Sequence, residues 1–253
     1  MITVVILTKN NSKTLGNTLE SVRDFPEVII YDTGSTDNTL SIASSFPNVT
    51  IVSGSLNGFG PTRNEAARHA TYDWVLAIDS DEVVSKDLGE NILRARLNPF
   101  TVYRFRRVNF FLGAKMRSCS GWGKDFVSRL YDKKHYSYSN DQVHEKIACQ
   151  PQDEKLIKGE LLHTPYSEIG DLLKKLHHYS DLFASQSYHF PNVPSGSVLK
   201  AVMHASFAFF KSYILKFGFL QGARGYIISC YIAHCCFYKY LKIWEKQFTT
   251  KKM

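Results

Sequence analysis

Four short runs of β-branched and apolar residues punctuate the first 80 positions: Ile2–Leu7, Val28–Tyr31, Val49–Ser53 and Trp74–Ile78. The first two are continuously apolar rather than alternating, which demands cover on both faces of a sheet. Residues 12–23 carry helical spacing, and residues 63–70 read as a short helix. Asp32-Thr33-Gly34-Ser35-Thr36-Asp37 is a turn that opens a further helix reaching about Phe46. Strand and helix therefore alternate at least three times, which predicts βαβ units and a largely parallel sheet. Such sheets bind ligands beyond the carboxyl ends of their strands. The polar clusters lie there: Thr8-Lys9-Asn10, Asp32 and Asp79-Ser80-Asp81.

Further strands are expected at 100–107 and 126–132, separated by a Gly/Ser-containing loop from Gly113 to Lys124 that carries Trp122. An amphipathic helix spans 167–188, and Pro191–Gly196 reads as a linker. The expected partition is a catalytic domain over 1–190 and a basic, aromatic-rich helical appendage over 191–253. With 44% hydrophobic and 21% charged residues the chain can bury a core. From Val198 to Met253 it has nine basic residues against one acid, whereas residues 1–197 hold 22 of each sign. Five scattered cysteines form no CxxC pair, which argues against a disulfide framework or zinc cluster and for reduced thiols. The N-terminus lacks a basic segment before its apolar run, so a cytoplasmic location without a signal peptide is expected.

Two carboxylates two residues apart at a strand end, Asp79 and Asp81, can converge on a hard divalent cation shared with substrate phosphates, Mg²⁺ or Mn²⁺. A plain acidic turn is the competing possibility. Asp32 can accept hydrogen bonds from a nucleobase or ribose, because Ser35 and Asp37 are better placed to cap the following helix. Arg63, expected at a helix start, can face phosphate or simply be a solvated surface arginine. His163, after Leu161-Leu162 at an expected strand end, can ligate the cation or bond the diphosphate, or serve as a structural histidine. Trp122 can stack on a sugar or anchor a core. His177-His178 reads as surface.

Thr8-Lys9-Asn10, Asp32-x-Gly34-Ser35-Thr36-Asp37, Arg63-Asn64 and Asp79-Ser80-Asp81 occur in the order and rough spacing seen in family 2 glycosyltransferases of the GT-A fold, and residues 1–100 strongly resemble that family. The resemblance implies an α/β fold of GT-A type, with a mostly parallel central sheet flanked by helices. It implies nucleotide-sugar contacts at Thr8, Asn10, Asp32, Arg63 and Asp79, and a metal at Asp81, with Asp79 at the ribose or metal. Thr33 departs from the second Asp common there. The later segments Arg129-Leu130-Tyr131, Val143-His144-Glu145, Leu161-Leu162-His163 and Lys216–Gly225 are similar to bacterial enzymes that add glucose to the lipopolysaccharide inner core. That branch implies UDP-glucose as donor and a lipid-linked oligosaccharide acceptor, a heptose. Direct displacement at an anomeric carbon needs a base; the resemblance points to the stretch Asn140–Glu145, where Glu145 is the first candidate and Asp141 the second, with an exposed acidic turn as the alternative. Trp122, Arg129 and His144 are candidate acceptor contacts.

Within 198–244 the longest charge-free run is fourteen residues, Gly225–Tyr238, too short to span a bilayer. Basic amphipathic helices on an anionic membrane surface are expected instead, on the inner face of the bacterial inner membrane. A helical pair packed on the core or at a homo-oligomer interface is the alternative. A sugar nucleotidyltransferase or dehydrogenase is disfavoured, since no glycine-rich loop follows the first strand. A non-catalytic glycan-binding or membrane scaffold protein is the remaining rival. No motif points to nucleic acid.

Overall fold

The computed structural model describes residues 1–123, 125–140, 145–166, 168–186 and 197–250. The chain divides into two compact units, Met1–Val108 with Asp125–His163, and Asn109–Lys124 with Thr164–Met253.

The first unit is built on β1 (Ile2–Thr8), α1 (Leu15–Ser21), β2 (Glu27–Asp32), α2 (Thr39–Ala43), β3 (Val49–Ser53), α3 (Phe59–Arg68), β4 (Trp74–Asp79), β5 (Glu82–Val84) and α4 (Lys86–Arg94). It continues through β6 (Val102–Phe111), the hairpin strand β7 (Ala114–Lys115, in the second unit), β8 (Asp125–Asp132) and β9 (Glu154–Tyr166). The sheet order is β3-β2-β1-β4-β8-β6-β9-β5, with β7 on the end of β6. β3, β2, β1 and β4 run parallel, and β8 pairs antiparallel to β4. The expected mixed α/β architecture, with helices flanking the sheet and further helices at the C-terminus, is what the chain adopts.

Side-chain alternation explains why the strands are apolar throughout. Val4, Ile6, Ile30, Leu76 and Ile78 face a core shared with Leu15 and Leu19 of α1 and Leu88 and Ile92 of α4. Val5, Ile29, Val75 and Ala77 face the opposite core, closed by Ala66 and Ala67 of α3. β5 went unanticipated, and of β9 only an end near His163 was expected. β5 is three residues long, and β9 runs thirteen residues with little apolar patterning. The antiparallel pairing of β5 and β9, with Val84 opposite Leu161 and Glu82 opposite His163, is a long-range choice.

Gly159 is the tight point of β9. Its φ is +121°, and a Cβ there would lie 2.6 Å from Cα of Leu88 on α4. Gly159→Ala is expected to cost about 2 kcal/mol or more, since strain and backbone overlap add. A chemical-denaturation midpoint left unchanged would contradict this.

The second unit holds α5 (Ile169–Gln186), α6 (Val198–Phe210) with a π-helical turn to Leu215, and α7 (Gly222–Thr250). Its division from the first unit does not follow the partition at residue 190. The loop from 109 to 124 belongs here because Cys119 N–H donates to Lys216 O at 2.8 Å and Ser118 Oγ to Phe217 O at 2.7 Å. Helix α5 belongs here as well: its Asp181 takes Lys242 of α7 at 2.7 Å. Gly225 opens α7 flush against the preceding turn, where a Cβ would fall 1.9 Å from Gly218 O. Val198–Leu215 is long and apolar enough to cross a membrane, at 18 residues and mean hydropathy 1.2, despite its two lysines. That departs from the expectation set by charge-free runs alone.

Candidate active site

Three parallel strand ends line up along one rim of the first unit. Thr8 pairs in register with Asp32, and Leu7 with Asp79. Strands of the observed length stop together because each runs straight into a polar turn. The loops beyond them are stitched to one another. Asn10, at φ +54°, donates its N–H to Ser35 Oγ at 2.9 Å and accepts Thr36 N–H at 2.7 Å through Oδ1. Asn11 donates Nδ2 to Ser80 Oγ at 2.6 Å. The Ser80 carbonyl accepts from Thr14 Oγ1 at 2.9 Å and Thr18 Oγ1 at 3.1 Å, so α1 holds the Asp79–Glu82 turn from beneath. The turns that carry Asp32 and Asp81 are therefore stitched into one network of loops.

Asp32 is not the free carboxylate the sequence suggested. It is buried, and it accepts Gly34 N–H at 3.0 Å, Ser35 N–H at 3.0 Å and Ser35 Oγ at 2.5 Å. These bonds use most of its roughly four acceptor positions. Asp37 lies one residue before Asn38, the cap of α2, and takes Thr39 N–H at 3.0 Å and the Thr39 hydroxyl. That hydroxyl leads the interactions lowering its carboxyl to about 2. Thr8 is buried with its Oγ1 lacking a hydrogen-bond partner among the described residues.

Arg63 is also displaced from expectation. Helix α3 begins at Phe59, where the Gly58 carbonyl accepts from Thr62, so Arg63 lies in the second turn rather than at the start. It is 4% exposed. Its Nη2 reaches Asp79 Oδ1 and its Nε meets Glu145 Oε1 at 3.0 Å, with Tyr138 stacked 5.3 Å from its guanidinium carbon. Arg129 of β8, 7% exposed, holds the other Asp79 oxygen at 2.5 Å and Glu82 Oε1 at 3.1 Å. Burial by itself would push the Asp79 carboxyl up. Arg129 and then Arg63 outweigh it and hold the group far below the ordinary carboxylate range. Asp79 is thereby committed to two arginines, and Arg129 acts on the acid cluster from inside the fold.

Asp81 is differently placed. Its Oδ1 lies 3.7 Å from Nε2 of His163, both side chains partly exposed. His163 sits inside β9, three residues before its end, and the β5–β9 register brings it to the turn. A carboxylate oxygen and an imidazole nitrogen at this spacing suit a shared divalent cation, with remaining positions left to phosphate and water. No group of three or more His, Cys, Asp or Glu able to hold a metal occurs among the described residues.

Trp122 packs in the second unit's core, edge-on to Phe111 at 5.9 Å and stacked on Tyr166 at 5.8 Å. That is the core-anchor alternative. His177 is a surface residue paired with Asp181. Asp141 and His144 lie outside the described residues.

Two participants escaped the sequence. Glu82 is fully buried. Its Oε2 accepts the Asp79 N–H at 3.0 Å, closing the turn, while Oε1 takes Arg129 and, at 3.2 Å, Arg107. Arg107 also binds Asp125 at 2.7 Å. A glutamate directly after an Asp-Ser-Asp turn, and arginines inside otherwise apolar strand patterns, were the available signals. Asn64 was quoted only as part of a motif. It makes a two-way bond with the Tyr138 backbone at 2.9 and 2.8 Å, anchoring the segment that leads to Glu145.

The chain is similar to known glycosyltransferases. An uncharacterized glycosyltransferase of Rickettsia prowazekii is 27% identical over 259 residues, covering 96% of this chain and 86% of that protein. The glycosyltransferase SunS of Bacillus subtilis is 39% identical over 89 residues, 34% of this chain and 21% of its own length. Among solved structures, a mannosyltransferase of Pyrobaculum calidifontis, in complex with GDP-Man and Mn²⁺, shares the fold. Its TM-score is 0.50 at 15% identity, covering 97% of this chain and 87% of that one. Residues 3–149, which contain the ends of β1, β2 and β4, match the glycosyl transferase family 2 profile, and the chain belongs to that family.

Proposed function

We propose that the enzyme is an inverting, metal-dependent hexosyltransferase that moves glucose from UDP-glucose to a lipid-linked core sugar, a heptose of lipopolysaccharide. The observation carrying this reading is the alignment of Thr8, Asp32 and Asp79 along one rim, with Asp81 and His163 at the adjoining turn. In this reading the nucleoside end lies against Thr8, Asn10 and the Asp32 turn, and Thr8 Oγ1 supplies an unused polar atom. Arg63, which touches Asp79, carries a buried Nη1 without a hydrogen-bond partner among the described residues.

Asp81 and His163 would hold Mg²⁺ or Mn²⁺, which neutralises charge on the departing diphosphate. Glu145, or Asp141, takes the proton of the acceptor hydroxyl as its oxygen bonds to the anomeric carbon. The carbon–oxygen bond to the diphosphate breaks, and its electron pair leaves with the nucleotide. Arg63 links the two halves of this chemistry, because one guanidinium touches both Glu145 and Asp79.

The test is a thermal-shift panel of nucleotide-sugars with and without Mn²⁺, followed by release of the free nucleotide. UDP-glucose with Mn²⁺ is expected to stabilise by about 2.7 kcal/mol at a hundredfold excess over Kd. A shift from GDP-mannose alone would move the proposal to a different base and sugar. No shift from any donor with cation would sink it.

A further inference from the structure

We propose that the exposed face of α6 docks on the surface of an anionic phospholipid bilayer. Leu199, Met203, Phe207, Phe210 and Ile214 recur at i, i+4, i+8, i+11 and i+15, which places them on one side of a helix. All five are exposed; Leu199 is 70%, Met203 63% and Phe207 60% accessible. The opposite side is committed to the unit's interior. Ala201 and Ser212 are fully buried, and Ser212 Oγ accepts from Ser229 Oγ of α7 at 3.0 Å. A groove of about 460 Å³ between α6 and α7, lined by Val202, Phe209, Ala233 and Phe237, extends the apolar surface. A soluble surface rarely shows a continuous apolar face of this kind without a partner.

Charge selects the partner. No acid occurs between Val198 and Trp244, while Lys200, Lys211, Lys216 and Arg224 do. At 100° per residue Lys200 and Lys211 flank the apolar stripe on one side. Their stems can lie along it with the ammonium groups at lipid phosphates. A second copy docked through the same face would bring these cations against their own equivalents with no acid to offset them. A spanning arrangement would place the charges of Lys200 and Lys211 in hydrocarbon, where no acid of α6 or of α7 up to Trp244 can pair with them. Lying in the interface satisfies both the apolar stripe and the charges.

Flotation of the full chain with vesicles tests this without a sugar donor, so it stands or falls apart from the transferase reading. The chain is expected to float with mixed phosphatidylcholine–phosphatidylglycerol vesicles, and to lose that binding at high salt or with phosphatidylcholine alone. Lys211→Glu/Lys216→Glu is expected to weaken vesicle affinity by at least about tenfold. Met203→Ser/Phe207→Ser should weaken it similarly, with circular dichroism and donor-induced thermal shifts unchanged in both. Equal binding to neutral vesicles, or wild-type affinity in the charge-reversed variant, overturns the proposal. So does a soluble dimer that Met203→Ser/Phe207→Ser dissociates and that ignores vesicles. Membrane retention through carbonate extraction overturns it too, since that marks a spanning segment.

Discussion

Asp81→Ala is expected to lower kcat/KM by about a thousandfold while leaving the melting transition within about 1 °C of wild type. Removing one preorganised group that stabilises charge in a transition state costs about 10²–10³ in rate, and loss of a cation site reaches the upper end. The fold is spared because Asp81 is partly exposed and its ion-pair partner is His163 at 3.7 Å, a contact near the limit of a salt bridge. Exposed pairs of that kind contribute about 0–1 kcal/mol. Steady-state kinetics over a Mn²⁺ series, with calorimetry alongside, make the measurement. His163→Ala should show the same signature more weakly, as a raised Mn²⁺ requirement. Near-normal turnover by Asp81→Ala at limiting Mn²⁺ would remove the metal assignment and leave the Asp81–His163 contact as ordinary surface structure.

Arg129→Met is expected to fail in the opposite way, through stability first. It leaves Asp79 with Arg63 alone and takes one of two arginines from a fully buried Glu82. Breaking a buried ion pair by removing one partner costs about 3–5 kcal/mol, because a charge is left without compensation. For a chain of this size that corresponds to a drop in Tm of about 6–20 °C. Arg129→Met/Glu82→Gln should recover part of the loss, since the stranded charge is then gone, and the coupling should exceed about 1 kcal/mol.

The pH dependence follows from the direction of the Asp79 shift. Its folded-state pKa is depressed by the two arginines, after they overcome burial. The stabilisation is therefore present above the unfolded value of about 4 and is lost only as pH falls below it toward the folded value. Arg129→Met raises the folded value, so the contribution shrinks and the acid limb flattens. An acid limb identical in wild type and Arg129→Met would show that the pair carries no linkage.

The strand pattern, the parallel half of the sheet and the position of the site could all be read from residues 1–80. These features are local. A side-chain period of two, a turn sequence and a helix start are set by neighbours in the chain, and a parallel βαβ sheet puts its strand ends on one rim whatever the details. Asp32 and Asp79 stand at strand ends, and Asp81 in the turn beyond, for that reason. Their environments were not legible. Asp79 is bound by arginines 16 and 50 residues away, and Glu145 by one 82 residues away. Nothing local distinguishes an arginine aimed at solvent from one buried beside an aspartate. The same holds for the loop at 109–124, which joins the second unit through bonds to residues about a hundred positions later. Sequence alone thus determined the four strands of residues 1–80 and where they end. Only the tertiary structure decided which carboxylates are spent on arginines and which is left beside a histidine, because that depends on partners brought together by folding rather than by adjacency.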